Sequence, residues 1–407
     1  MLTVIEQLSV IQSGGAEIVP LAALSEKLAA GRPLTVKLGV DPTAPDLHLG
    51  HAVPLRKLRQ LQELGHRVVL IIGDATALVG DPSGRNSTRP PLSPKQIATN
   101  AQTYVSQAFK ILDANHTQLC YNSEWLSPLN LEQILRLTGQ FTVARVLERE
   151  DFHQRYKSGQ AISLHEFLYP VMQAYDSVMI KADIEIGGTD QLFNLLAGRE
   201  LMEKLELEPQ VCLTLPLLVG TDGTLKMSKS YGNYIGIDEP PQEMFGKLMS
   251  ISDELMPSYF NLASGFSAAE SADFIARLHA GTLHPNAAKR LLAKDIVATY
   301  WGTSAAADAE AAFDRVFKLH ELPADIPEHQ LDWQAEGQAE GDGIFYVPQL
   351  LARLNFAASS SEARRLVDNG GVRINGRPLA RGEYRVTETD LRDAVLSVGK
   401  RKFVRLR

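Results

Sequence analysis

The chain has 407 residues, of which 44% are hydrophobic and 22% are charged. This length predicts two or three domains, and the composition is that of a globular protein, which excludes disordered and fibrous classes. The first residues contain no basic region followed by an apolar run, and no later segment is apolar for long enough to span a membrane. The two cysteines, Cys120 and Cys212, lie in different predicted elements. This argues against a disulfide framework or a thiolate metal site, so we expect a cytoplasmic protein that is neither exported nor membrane-spanning.

The net charge of −7 is unevenly distributed along the chain. Residues 345–407 contain 13 Lys and Arg against 6 Asp and Glu, a net charge of +7, which leaves −14 for residues 1–344. A basic tail on an acidic body predicts a polyanionic partner at the C-terminal end.

The first chemical motif lies where a predicted strand, residues 34–40, is followed by an amphipathic helix over 48–64. His48 and His51 are three residues apart, on one face of the first helical turn. A helix N-terminus with two imidazoles can hold a phosphate chain, and Gly50 leaves room for its approach. The alternatives are a plain helix entry with surface histidines or a zinc pair, although no further ligand lies at zinc-site spacing nearby.

A second buried strand is predicted over residues 67–72. Strand, helix and strand form a right-handed parallel unit, which begins an α/β, doubly wound parallel-sheet (Rossmann-like) domain. The loop at 73–85, rich in glycine and carboxylate, opens at the carboxyl end of the second strand, where such sheets bind ligands. Taken alone it could equally be a surface turn.

Helical patterns dominate from residue 131 to 182. Tyr169, Gln173 and Asp176 are spaced four and three apart, so they face the same way. This polar stripe on an apolar segment is either a water-bridged seam or the lining of a pocket. Next, a short strand from residue 184 breaks into two glycines and a carboxylate at a helix start, a pattern suited to sugar hydroxyls.

A strand predicted over 211–219 is followed by Lys226 and Lys229 in a loop. Two lysines alone are more often a solvated face than a site. Helices are predicted over 247–321, an acidic linker over 322–344, and two short helices followed by a hairpin within 345–407. The basic C-terminal segment is either an RNA-binding or a dimerisation module.

Two of these motifs occur together in one known class of enzyme. His-Leu-Gly-His at 48–51 and Lys-Met-Ser-Lys-Ser at 226–230 match the two signatures of class I aminoacyl-tRNA synthetases. Within that class, the chain resembles the bacterial tyrosyl-tRNA synthetase family, in its second bacterial subtype. The resemblance also rests on residues 39–43, 80–84, 169–176 and 187–191.

The resemblance implies ATP-dependent activation of L-tyrosine to tyrosyl-adenylate and transfer to the 3′ end of tRNA(Tyr). It implies Mg²⁺ carried with ATP, no protein-bound metal, a homodimer and no membrane partner. The implied domains are a Rossmann-like catalytic domain over 1–246 with a helical insertion near 125–182, a helical anticodon-binding domain over 247–321, a linker over 322–344 and a basic RNA-binding domain over 345–407. Rival readings are a tryptophanyl relative and a non-catalytic RNA-binding paralogue, the latter disfavoured by the intact histidines and lysines.

The resemblance also implies roles for individual residues. Catalytic contacts to the ATP phosphates would come from Thr43, His48, His51, Arg85, Arg89, Lys226 and Lys229. Tyrosine would be bound by Asp41, Asp81, Tyr169, Gln173, Asp176 and Gln191. ATP would be bound by Gly50, Gly188 and Asp190 together with His48, His51 and Lys229. The tRNA would contact Arg364, Arg365, Arg373 and Arg377. The chain departs from the better-known form of the family at Lys37, which replaces a tyrosine near the phenol, and at Glu185, which replaces a glutamine.

Overall fold

The structure, a computed structural model, describes residues 2–82, 92–318, 326–333, 343–399 and 402–407. The chain divides between Ala307 and Asp308 into two compact units. Both contain strands and helices, and their folds differ.

A six-stranded, mostly parallel sheet forms the centre of the first unit. Its strands are β1 (Glu17–Val19), β2 (Thr35–Val40), β3 (Arg67–Ile72), β4 (Thr117–Tyr121), β5 (Ile184–Gly188) and β6 (Val211–Leu215). Their spatial order is β1-β6-β5-β2-β3-β4, with β1 antiparallel to β6 and all other neighbours parallel. The chain runs from β2 through β3 to β4 and then returns to β5 on the other side of β2. The strand order therefore reverses between β2 and β5, which is where doubly wound sheets bind ligands. The predicted α/β fold is confirmed.

Helices cover the sheet, and the helix that follows β2 lies close to the predicted bounds of 48–64. They are α1 (Val4–Gln12), α2 (Leu21–Ala29), α3 (Leu49–Glu63), α4 (Thr76–Val79), α5 (Pro94–Ala108), α6 (Ser123–Leu126), α7 (Leu131–Thr138), α8 (Val143–Val146), α9 (Glu150–Lys157), α10 (Leu168–Ile180) and α11 (Leu192–Lys204). Helix α3 begins after His48 and buries its leucine stripe, as its periodicity predicts. One local prediction was wrong: the strand predicted over 211–219 ends at Leu215, because Pro216 has no N–H for the ladder.

The chain after the sheet is helical, as predicted, up to Phe317, and residues 319–321 of the predicted range 247–321 lie outside the described residues. The helices are α12 (Pro241–Ser250), α13 (Met256–Leu262), α14 (Ala268–His279), α15 (Pro285–Trp301) and α16 (Thr303–Phe317). Helix α15 is central to this part, because Leu292, Ile296 and Val297 are fully buried. In the part of the chain that the structure describes, no helix is long and apolar enough to cross a membrane.

The second unit is a small α+β fold. Its strands are β7 (Glu328–His329), β8 (Ile344–Tyr346), β9 (Val372–Ile374), β10 (Arg377–Pro378), β11 (Arg385–Thr387), β12 (Val395–Val398) and β13 (Lys402–Leu406). Five of them form a sheet in the order β10-β9-β12-β13-β7, and β11 pairs with β8. The helices α17 (Val347–Arg353) and α18 (Ser360–Asp368) match the two predicted there, and α19 (Glu388–Leu391) follows.

The stretch 322–344, predicted as a linker, contributes to the second unit. Strand β7 within it pairs in parallel with β13, and Leu331 is buried in the hydrophobic core. The acidic, Pro- and Gln-rich composition of this stretch favoured a linker. Its strand was not predicted, because the strand with which it pairs lies more than 70 residues later in the sequence. Residues 319–325 and 334–342 lie outside the described residues.

Candidate functional site

A cavity of about 710 Å³ opens at the carboxyl edge of the parallel sheet. Its lining contains the following predicted residues: Asp41, Thr43, His48, Gly50, His51, Asp81, Tyr169, Gln173, Asp176, Gly188, Asp190, Gln191, Lys226 and Lys229. The fold thus brings residues from six separate segments to one place. Of the predicted ATP and tyrosine residues, only Arg85 and Arg89 are missing, and these two lie outside the described residues.

Asp41 follows β2 directly and is held by two hydroxyl groups. Thr76 donates a hydrogen bond to one carboxylate oxygen at 2.7 Å, and the Tyr169 hydroxyl donates to the other at 3.0 Å. Burial raises the pKa of Asp41 to about 7, although both hydrogen bonds favour the ionised form. Gly73 makes this arrangement possible, because a Cβ there would lie 2.1 Å from the Asp41 carboxylate.

Asp176 is a buried carboxylate on the cavity-facing side of α10. The indole Nε1 of Trp125 donates to Oδ1 at 2.8 Å, and the Asn122 amide donates to Oδ2 at 3.3 Å. Burial raises the pKa of Asp176 to about 6, while the charge of Lys37 and these hydrogen bonds act in the opposite direction. At neutral pH Asp176 is therefore mostly ionised and can accept a further hydrogen bond from a ligand.

Asp81 belongs to a polar network along another part of the cavity. The side-chain amide of Gln191 donates to Asp81 at 2.7 Å, and Asn194 donates to Gln191 at 3.0 Å. The buried guanidinium of Arg149 lies 3.2 Å from Asp81 and 2.7 Å from Asp151. These contacts hold Asp81 and Gln191, which both line the cavity, in one orientation.

His48 and His51 stack on each other at the start of α3, with ring centroids 3.7 Å apart. The backbone N–H of His48 donates to Nδ1 of His51 at 3.4 Å, so the His51 proton is assigned to Nε2. Burial lowers the pKa of His48 to about 2 and that of His51 to about 4, and Lys229 adds to both effects. Both imidazoles are neutral at physiological pH and act as hydrogen-bonding groups rather than as cations. A Cβ at Gly50 would lie 3.0 Å from the His48 ring, which leaves little room for a side chain there.

The loop that carries Lys226 and Lys229 lies over the same cavity. The Lys226 ammonium is 2.9 Å from Asp190, and that of Lys229 is 2.6 Å from Asp46. All four side chains are partly exposed, so these ion pairs are weak and either lysine can exchange its partner for an anion. Asn233 fixes the loop, since its side chain accepts a hydrogen bond from the Ser228 N–H at 2.8 Å.

The four predicted tRNA-contacting arginines lie elsewhere, all exposed on the second unit. Arg364 donates to the Tyr346 hydroxyl at 2.6 Å and lies over its ring, and Arg377 pairs with Glu383 at 2.9 Å. Arg365 neighbours Arg364 on α18, and Arg373 lies on β9. All four are accessible to solvent, and Arg377 is already paired with a carboxylate.

Sequence reasoning gave no role to Thr76, Asn122, Trp125 or Arg149, which hold the cavity carboxylates in place. Thr76 and Asn122 follow β3 and β4 at the ligand-binding edge of the sheet, and this position could have identified them. Arg149 carried no such signal, because it lies in a helical stretch far from Asp81 in sequence. Among the described residues, no group of three or more His, Cys, Asp or Glu side chains could hold a metal ion.

Comparisons with known proteins agree with this architecture. A sequence family described as tRNA synthetases class I (W and Y) matches residues 29–318, and the S4 domain family matches residues 347–391. The chain is 51% identical over 396 residues to a tyrosine–tRNA ligase of Aromatoleum aromaticum, with 97% of each chain covered. It is 48% identical over 408 residues to one from Oleidesulfovibrio alaskensis, with 98% of each covered.

Solved structures share the fold. The tyrosyl-tRNA synthetase of Archaeoglobus fulgidus, solved with L-tyrosine, superposes with a TM-score of 0.63 at 24% identity, over 76% of this chain and 99% of that one. A C-terminally truncated mitochondrial tyrosyl-tRNA synthetase of Aspergillus nidulans gives a TM-score of 0.64 at 21% identity, over 78% of this chain and 95% of that one.

Proposed function

The chain belongs to the class I tRNA synthetase family for tryptophan and tyrosine, and we propose that it is the tyrosine-specific ligase. It activates L-tyrosine with ATP and transfers the tyrosyl group to tRNA(Tyr). Relatives of nearly the same length that are about half identical and bear the name tyrosine–tRNA ligase support this assignment. Mg²⁺ enters with ATP as part of the substrate.

The observation that carries the choice of tyrosine is the buried carboxylate of Asp176. It retains acceptor capacity beyond its bonds from Trp125 and Asn122 and faces the cavity. A phenol hydroxyl donates a hydrogen bond there, whereas a phenylalanine ring would leave a desolvated carboxylate without that bond. Asp41, Asp81, Tyr169, Gln173 and Gln191 complete the tyrosine site, with Asp81 suited to the substrate ammonium.

The activation step needs no general base. The tyrosine carboxylate is already ionised at neutral pH, and one of its oxygens attacks the α-phosphorus of ATP while pyrophosphate leaves. A ribose hydroxyl at the tRNA 3′ end then attacks the carbonyl carbon of the adenylate and releases AMP. Catalysis is thus positioning and charge stabilisation.

In this proposal the ATP phosphates lie between the start of α3 and the ammonium groups of Lys226 and Lys229. His48, His51 and Thr43 donate hydrogen bonds from one side, and the lysines supply positive charge from the other. Arg85 and Arg89 are proposed to act with them. Gly50, Gly188 and Asp190 accommodate the nucleoside.

The tRNA is bound by two further regions. We assign the helices predicted over 247–321 to the anticodon and the basic residues 345–407 to a more distant part of the tRNA. The four exposed arginines and the S4 match support the second assignment. The cytoplasm is the proposed location, since both cysteines are buried as free thiols.

We also propose that the enzyme is a homodimer. Helix α7 exposes Leu131 by 72% and Leu135 by 62%, and Val143 and Leu164 are exposed by 63% and 83%. Four large apolar side chains this exposed between residues 131 and 164 suit a protein interface. A second copy of this chain is the proposed occupant.

The test of the function is amino-acid-dependent ATP–pyrophosphate exchange by the purified chain, with tyrosine, tryptophan and phenylalanine supplied separately. Exchange with tyrosine alone is expected. Exchange with tryptophan would overturn the reading of the pocket, and no exchange with any of the three would leave an RNA-binding relative without activity.

A further inference from the structure

An ion pair lies in the interior of the first unit, behind the cavity. Lys37 on β2 and Glu185 on β5 are directly opposed in the parallel ladder, and their charged atoms are 3.0 Å apart. Both side chains are only 1% exposed, and neither lines the cavity. Two buried charges are costly to desolvate, and apolar residues of the same size usually stabilise such a position at least as well. The pair is therefore poorly explained by stability alone.

The contacts of the pair point to the cavity lining. The Lys37 ammonium donates to the backbone carbonyl of Gln173 at 3.3 Å, and the side-chain amide of Gln173 donates to Glu185 at 3.0 Å. Gln173 is thus held at both its main chain and its side chain by the two partners. Because Gln173 lines the cavity, the pair fixes the orientation of a ligand-facing amide.

The other oxygen of Glu185 is anchored within the fold. It accepts hydrogen bonds from Ser177, at 3.1 Å, and from Gln210. Helix α11 approaches this cluster through Gly198, where a Cβ would lie 2.6 Å from the Gln210 amide. Glu185 therefore cannot turn away from Gln173 without disturbing α10, β6 and α11 together.

Lys37 also acts on Asp176 through its charge. The titratable groups around Asp176 are Lys37 on β2, Glu185 on β5, Asp41 after β2 and Tyr169 on the same helix. Trp125 and Asn122 add only neutral donors. Of the charged neighbours, Lys37 is the one that favours the ionised carboxylate, and its effect exceeds the opposing effect of Glu185. Removal of Lys37 would shift Asp176 towards its protonated form.

We propose that the Lys37–Glu185 pair is a positioning and specificity element for tyrosine, which holds Gln173 in place and puts a positive charge near the buried Asp176 carboxylate. This inference rests on the proposed role of Asp176 and Gln173 in tyrosine binding. The pair touches no substrate, so its effect passes through these two residues.

The test compares the full-length wild type with the double variant Lys37→Met/Glu185→Gln, in which both charges are lost together and volumes are nearly kept. We expect KM for tyrosine to rise by about tenfold, with KM for ATP unchanged. We also expect the acid limb of kcat/KM for tyrosine to move upward, because the lost effect of Lys37 on Asp176 exceeds the lost opposing effect of Glu185. The single variant Glu185→Gln should move this limb downward, since it removes a negative neighbour and leaves Lys37.

The matched control is Lys27→Met/Asp183→Asn, which removes another buried lysine–carboxylate pair, at the amino end of β5, away from the cavity. It should lower thermal stability without moving the pH limb. An unmoved limb and unchanged KM for tyrosine in a folded Lys37→Met/Glu185→Gln protein would overturn the inference. If Asp176→Asn likewise leaves tyrosine activation unchanged, the proposed tyrosine site itself fails. If Asp176→Asn impairs tyrosine activation but Lys37→Met/Glu185→Gln changes neither KM for tyrosine nor the acid limb, the inference fails and the proposed tyrosine site stands.

If the double variant does not fold, the test uses the single variant Glu185→Gln, whose tyrosine binding and ATP–pyrophosphate exchange are measured instead. A downward shift of its acid limb supports the inference, and no shift overturns it.

Discussion

Trp125 donates its indole N–H to Asp176 across 2.8 Å, joining the short helix after β4 to the helix that precedes β5. Both helices belong to the connection through which the chain returns from β4 to β5. This hydrogen bond holds Oδ1 of Asp176 in place, and the Asp176 carboxylate can still accept a further hydrogen bond from the cavity. The selectivity of the pocket therefore depends on a contact between residues about 50 positions apart.

Asp176→Asn is expected to lower kcat/KM for tyrosine by roughly thirtyfold, because a hydrogen bond to a buried charge is worth about 2 kcal/mol. In the wild type, tyrosine activation should fall as the pH drops through about 6, because protonation removes the acceptor. The variant should have lost the part of this limb that comes from Asp176, while the titration of Asp41 near pH 7 remains. Steady-state pyrophosphate exchange between pH 5 and pH 8 measures both effects.

Asp74→Asn serves as the control for that experiment. Asp74 is a carboxylate at the same edge of the sheet, but it binds Ser123 at 2.6 Å and does not line the main cavity. Equal losses in the two variants would contradict a specific role for Asp176.

Lys226→Ala and Lys229→Ala should each reduce kcat for pyrophosphate exchange by about a hundredfold, because each removes a charge from the departing phosphates. Stability should change by at most about 1 kcal/mol, since both ion pairs in the structure are partly exposed. Lys204→Ala breaks a comparable pair with Glu200 on α11 and should leave the rate unchanged. Wild-type turnover in either loop variant would argue against the phosphate-binding role.

Charge reversal on the second unit should separate the two half-reactions. Arg364→Glu with Arg365→Glu is expected to weaken tRNA charging by about tenfold or more and to leave pyrophosphate exchange unchanged, because phosphate contacts are lost only in the tRNA complex. The difference in tRNA charging between the variant and the wild type should become smaller as the salt concentration is raised, because salt also weakens tRNA binding by the wild type.

The same charge change at Arg59 and Arg67, two arginines of the first unit, provides the comparison. If both double variants lose charging equally, the effect reflects net charge rather than a binding surface.

Leu131→Asp with Leu135→Asp should convert a dimer to a monomer in sedimentation velocity, because two buried carboxylates are costly in an apolar interface. Leu2→Asp with Leu205→Asp changes two other exposed leucines and should leave the mass unaltered. A wild-type chain that sediments as a monomer at micromolar concentration would exclude the proposed homodimer.

The sequence by itself determined the parallel α/β fold, because buried strands and amphipathic helices alternate with regular periods that local chemistry imposes. Local spacing also placed His48 beside His51, and Tyr169, Gln173 and Asp176 on one face. These relationships depend only on the geometry of a single helix.

Only the tertiary structure decided which carboxylates are buried, which groups hold them and where the second unit begins. The links from Asp81 to Arg149, from Asp176 to Trp125 and from Lys37 to Glu185 join residues distant in sequence, and the strand at residues 328–329 needs a partner more than 70 positions later. Burial and long-range pairing depend on the packing of the whole chain, so no local pattern encodes them.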